Sequence, residues 1–246
     1  MPDDQDPPKV IQRNSPRKAR GPRARRLRAA LASAMLLATA SLAIAAGPAS
    51  AANKCTYYVN GFTAITVQSG EVACGGGGAD TVLEVYGTFN GGAGNDSVTR
   101  AVYGTFNGGS GSDSAETVAA GGTFNGGAGS DVVYLFTVGT FNGEAGDDHA
   151  QYAVVGTFNG GSGADGVGEL FFGGTFNGGT GDDRVLDVYG TFNGGPGDDT
   201  GAFMFGTFNG GDDSDHVIYM YGGTFDGGAG TDSVETYYDG TLISVP

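Results

Sequence analysis

The stretch Gly87–Glu116, GTFNGGAGNDSVTRAVYGTFNGGSGSDSAE, says nearly the same thing twice, seventeen residues apart. Followed along the chain, the phrase centres on Phe89, Phe106, Phe124, Phe141, Phe158, Phe176, Phe192, Phe208 and Phe225, spaced 16 to 18 residues apart. Seven residues after each of them stands an aspartate: Asp96, Asp113, Asp131, Asp148, Asp165, Asp183, Asp199, Asp215 and Asp232. A further loop, GGGGADTVL from Gly75 to Leu83, supplies Asp80 without a preceding phenylalanine. All length variation falls in the other half of the repeat, as in LEVYGTF, TRAVYGTF and ETVAAGGTF. A half-repeat that never changes length is what coordination chemistry needs, because a ligand displaced by one residue is lost.

A period of this size is the mark of a solenoid, and it outranks local propensity as a fold argument. It also explains the 49 glycines, which without a strict repeat would indicate disorder or a flexible linker. The predicted fold is all-β: a parallel β-roll or β-solenoid of about ten coils of about 17 residues, with glycine-rich loops on one edge.

Charge is distributed unevenly. The chain carries −15, yet nine of its twelve Lys and Arg residues precede residue 52, leaving three bases against 24 acids thereafter. A surface at −21 repels nucleic acid and anionic lipid and attracts cations. Residues 1–51 read as a cleaved N-terminal signal peptide. A basic run (Arg17–Arg28) leads into an Ala/Leu-rich stretch (Ala29–Ala46) and an Ala49-Ser50-Ala51 cleavage site. A membrane anchor is the alternative, and Arg25-Arg26 leaves the export route open between general and twin-arginine. The mature chain is expected to be secreted and extracellular, with no stable membrane insertion.

Cys55 and Cys74 are the only cysteines. In an exported chain they are expected to form a disulfide, a redox-active or metal-binding pair being the alternatives. Asn60-Gly61 between two β-prone runs signals a hairpin, so residues 52–74 read as a disulfide-stapled cap and residues 75–246 as the solenoid.

GGAGNDSVT (Gly91–Thr99) fits the pattern G-G-x-G-x-D-x-U-x, where U is a large apolar residue. It resembles the RTX family, the hemolysin-type calcium-binding repeats, and the resemblance covers residues 75–235. It implies a parallel β-roll whose loops hold Ca²⁺ between successive coils. Asp80, Asp96, Asp113, Asp131, Asp148, Asp165, Asp183, Asp199, Asp215 and Asp232 would be the carboxylate ligands, with up to about nine ions between ten loops. The chain departs from the family in that only alternate half-turns keep the loop. Glu144 replaces one loop glycine, Asp213 another, and Gly201 takes an apolar core position. These three rungs are expected to be the weakest.

Each coil offers roughly three apolar side chains for burial, too little to offset the ordering of about seventeen residues with a row of carboxylates on one edge. Calcium would therefore be required for folding. The outward files Thr88/Asn90, Thr105/Asn107, Thr123/Asn125, Thr140/Asn142, Thr157/Asn159, Thr175/Asn177, Thr191/Asn193 and Thr207/Asn209 have two readings. They form stabilising ladders, or they make a lattice-binding face for ice or polysaccharide, since regular threonine files resemble ice-binding surfaces. The aromatic residues before Gly-Thr (Tyr86, Tyr103, Phe172, Tyr189, Phe205, Tyr221) are expected to fill the core, although the corner leaves their parity unreadable. His149 and His216 stand without further ligands at fixed spacing, and no catalytic constellation is legible. The reading is a non-enzymatic calcium-binding protein with a structural or cell-surface partner role.

Overall fold

The computed structural model describes residues 55–245 apart from Thr137 and Val154. The expected signal segment lies outside the described residues. From Cys55 onward the chain winds as a parallel β-solenoid of about eleven turns, two strands per turn. The first strands are β1 (Tyr57–Tyr58), β2 (Thr66–Val67), β3 (Val72–Gly77), β4 (Thr81–Val85), β5 (Thr88–Ala93), β6 (Ser97–Val102) and β7 (Thr105–Ser110). The alternation continues to β22 (Ser233–Tyr237) and β23 (Thr241–Ile243). Odd strands form a 12-stranded sheet and even strands an 11-stranded sheet, each in sequence order.

Register follows from the repeat. β5 pairs with β7 so that Thr88 meets Thr105, Phe89 meets Phe106 and Asn90 meets Asn107. A slip of one residue would turn each phenylalanine to solvent and each threonine inward, so the apolar pattern locks the pairing. All nine repeat phenylalanines are fully buried. Their rings stack in one file with centroids 4.4–5.1 Å apart and planes tilted by 5–22°. The second sheet closes the core with residues such as Val98, Val102, Val185, Val188, Met204 and Met220. Gly201 leaves less of a gap than its position implied. An added Cβ would stand 3.1 Å from Met204 Sδ and 3.3 Å from Phe208 Cδ1, so these neighbours line the space.

Coil-length differences are absorbed away from the loops. β6 has one residue more than the five-residue β8 (Ser114–Val118), and the ladder shifts register between Val98 and Val102. Longer coils turn the corner through a glycine at positive φ, Gly121 at 81° and Gly173 at 85°. This is why sixteen-, seventeen- and eighteen-residue coils stack with every loop aligned.

The N-terminal segment differs from the expected hairpin. β1 pairs in parallel with β3, and β2 in parallel with β4, so Cys55–Val67 forms an abbreviated first coil. Asn60-Gly61 makes its corner, with Gly61 at φ 68°. Cys55 and Cys74 are joined as a disulfide across 19 residues, tying this coil to the next. By chain entropy a loop of that length contributes ~3 kcal/mol.

Candidate functional site

The invariant half of each coil forms a continuous edge, and three glycines shape it for different reasons. In the loop Gly91–Asp96, Gly92 and Gly94 take φ of 109° and 121°, a region side chains avoid. In addition the carbonyl oxygens of Gly76 and Gly78 on the preceding coil occupy the places where their Cβ atoms would stand. Gly91 is required for another reason: a Cβ there would strike Asp96 Oδ2. The carbonyl oxygen of Gly108 on the next coil lies 2.7 Å from that same point. The carboxylate is therefore folded inward against its own loop, facing backbone oxygen of the neighbouring turn.

All ten expected aspartates are brought into one row, and every one is at most 3 % exposed. Their two oxygens have different fates. Asp96 Oδ1 accepts the backbone N–H of Asp80, Asp113 Oδ1 accepts that of Asp96, and so on to Asp232 Oδ1, which accepts that of Asp215. Gly61 donates to Asp80 Oδ1 at 2.6 Å and so starts a ladder of 2.6–3.0 Å bonds. The first coil thus supplies the donor that the row would otherwise lack, a role the hairpin reading had hidden. Oδ2 of all ten aspartates is buried without a hydrogen-bond partner.

Burying a row of carboxylates has an electrostatic cost. Loss of hydration pushes Asp96 and Asp165 up to about 6, Asp131, Asp148, Asp183 and Asp215 to about 7, and Asp199 to about 8. Asp113 is raised for the same reason. The ladder N–H bonds pull the other way, and neighbouring aspartates in the row push most of these groups further up. An orphaned, desolvated carboxylate oxygen is a costly arrangement that a proton or a cation relieves.

Among the described residues no three His, Cys, Asp or Glu side chains converge on one point. A cation on this edge would therefore take one carboxylate oxygen or so per coil and complete its shell with backbone carbonyls. Such carbonyls are at hand: among the described residues no backbone N–H outside the strand ladders donates to the oxygens of Gly94 or Gly111. An all-oxygen donor set without thiolate or imidazole suits a hard ion such as Ca²⁺ and is a poor site for zinc.

The outward Thr and Asn files lie on the odd-numbered sheet. Threonines stand in register from Thr88 through Thr105, Thr123, Thr140, Thr157, Thr175, Thr191 and Thr207 to Thr224 and Thr241. The asparagines bond one another along the axis: Asn107 Nδ2 donates to Asn90 Oδ1, and the pattern repeats through Asn125, Asn142, Asn159, Asn177, Asn193 and Asn209 at 2.7–2.8 Å.

The aromatic residues before Gly-Thr do not fill the core. Tyr86, Tyr103, Phe205 and Tyr221 are 39–44 % exposed and Phe172 is 72 % exposed. The residue just before Tyr86, Tyr103, Phe205 and Tyr221 takes the inward place, as Val85, Val102, Met204 and Met220 do, and in the longer coil of Phe172 Leu170 takes it. The aromatics instead line the outer corner and stack, Tyr189 on Phe205 at 4.8 Å and Phe205 on Tyr221 at 5.1 Å.

No protein family, curated protein or solved structure matches this chain.

Proposed function

We propose that this protein is a secreted, non-enzymatic calcium-binding β-roll that folds when Ca²⁺ occupies its loop edge outside the cell, in a structural or surface-associated role. One observation carries the reading: ten buried aspartates in file, each with Oδ2 left without a partner. Asp80, Asp96, Asp113, Asp131, Asp148, Asp165, Asp183, Asp199, Asp215 and Asp232 would hold the ions, with loop carbonyls of adjacent coils completing each shell. When bound, calcium supplies positive charge and accepts the hard oxygens that water no longer reaches. The protein's own part is to align those oxygens, which it does through the Oδ1 ladder and the three loop glycines. The Cys55–Cys74 disulfide is in keeping with an oxidising compartment.

The test is far-UV circular dichroism of residues 52–246 during a calcium titration, with magnesium as control. A cooperative rise in β signal at ~0.1–1 mM Ca²⁺, the range of extracellular modules, is the expected result. A full β spectrum in chelator that calcium leaves unchanged, with no calcium uptake, would sink the proposal.

A second reading, a lattice-binding face for ice or polysaccharide, is favoured by the threonines standing in register across the sheet. The asparagines argue for the ladder instead, since they spend an amide donor on each other. Ice-growth and insoluble-glycan binding assays on the calcium-loaded protein decide between them. Thr140→Lys together with Thr157→Lys should abolish any such binding while leaving the β spectrum intact. Binding unaffected by these changes would remove this face from consideration.

A further inference from the structure

Two loops break the glycine rule. Glu144 holds the second loop position at φ 78° and Asp213 the fourth at φ 74°. Side chains with a Cβ resist this backbone region, so both residues cost free energy where they stand. Both are acids, and both replace a glycine in the loop row.

Their placement is specific. Glu144 pairs in register with Gly127 on one side and Gly161 on the other. At those glycines a Cβ would run into the carbonyl of the preceding coil, Gly109 for Gly127 and Glu144 for Gly161. By the repeat, the Glu144 Cβ is on the side of the coil of Asp131, at the outer edge of the gap between Asp131 and Asp148. Both of these aspartates are at most 1 % exposed with an unpartnered Oδ2. The Glu144 side chain is exposed and does not converge with both aspartates on one point, so it would reach an ion in that gap by rotating about its own bonds. Asp213, at the fourth position, is by the repeat on the side of Gly197 in the coil of Asp199, at the gap between Asp199 and Asp215, whose Oδ2 atoms are likewise buried and unpartnered. Asp147 stands at the fifth position beside the first gap, and Asp198 beside the second. The gap between Asp96 and Asp113 provides the contrast, with glycine at both special positions and Asn95 and Ser112 at the fifth.

We propose that Glu144 and Asp213 are supplementary cation ligands, making the Asp131–Asp148 and Asp199–Asp215 gaps the tightest calcium sites of the row. The inference rests on the calcium reading above. It reverses the expectation that these coils are the weakest. Extra negative charge in a loop raises affinity for a divalent ion, and backbone strain held at two acidic loop positions points to a role for those side chains.

Calorimetric calcium titrations of the wild type, Glu144→Gly, Glu144→Gln and Asp213→Gly test this. The glycine variants restore the loop pattern and release the positive φ, so they fold. If the acids serve no ion, these variants bind calcium as tightly as the wild type or tighter. The expected result is the opposite: the wild type fills two tight sites first, and each variant loses one of them by on the order of tenfold. Glu144→Gln keeps the backbone and size, so the same loss there assigns the effect to charge. Unchanged tight binding in the variants overturns the inference alone. A wild type that takes up no calcium overturns the reading on which it rests.

Discussion

With divalent ions removed, the protein is expected to be more ordered at about pH 5.5 than at pH 8, losing β structure as pH rises through about 6 to 8. In the folded chain the buried aspartates hold their protons to values well above the ordinary ~3.9 of an unfolded aspartate. A group raised in this way lends stability that is fully present below its unfolded value and is lost as pH climbs through its folded one. The window is set by Asp96 and Asp165 at about 6, Asp131, Asp148, Asp183 and Asp215 at about 7, and Asp199 at about 8. Circular dichroism across this range, repeated with saturating calcium, reads the effect. Calcium should flatten the profile at high pH, because it takes the place of the protons. An ion-free fold equally intact from pH 5.5 to 8 would mean that these carboxylates stay hydrated and ionised in solution.

Phe158→Ala is expected to lower the stability of the calcium-loaded protein by ~3–5 kcal/mol. Phe158 is fully buried and lies in mid-file, stacked on Phe141 at 4.5 Å and on Phe176 at 4.8 Å. Truncation removes the ring's burial, leaves a cavity and breaks two stacking contacts at once. Domains are held by about 5–15 kcal/mol, so the loss is a large part of the whole. In a solenoid each coil contacts only its neighbours, so a central defect should also split the unfolding transition in two. Tyr103→Ala, on the exposed aromatic corner, is the control and should cost under about 1 kcal/mol. Thermal and denaturant unfolding measure both. Equal, small losses at the two positions would mean that the phenylalanine file is not a packed core.

The constant Phe-to-Asp distance made most of the architecture legible. It placed the two halves of each coil, the inward file from Phe89 to Phe225, the small apolar residues two past most aspartates, such as Val98 and Val185, and the edge on which ten carboxylates meet. Local pattern failed where the chain turns a corner. Asn60-Gly61 looks like a hairpin because turn chemistry is local, yet β1 and β2 found better partners in the coil above. The parity of Tyr86 and its equivalents was lost at the bend between strands, where one residue more or less exchanges inside for outside.

By itself, then, the sequence determined the period, the solenoid, the Cys55–Cys74 pair as the expected staple, and which aspartates form the row, because each follows from spacing along the chain. Only the tertiary structure decided how each carboxylate is used. Oδ1 is spent on the preceding coil's backbone and Oδ2 is left buried against a glycine. Glu144 and Asp213 hold loop glycine positions at positive φ, and the tyrosines stack in water. These are relations between coils sixteen to eighteen residues apart, set by how one turn lies on another, and no window of adjacent residues contains them.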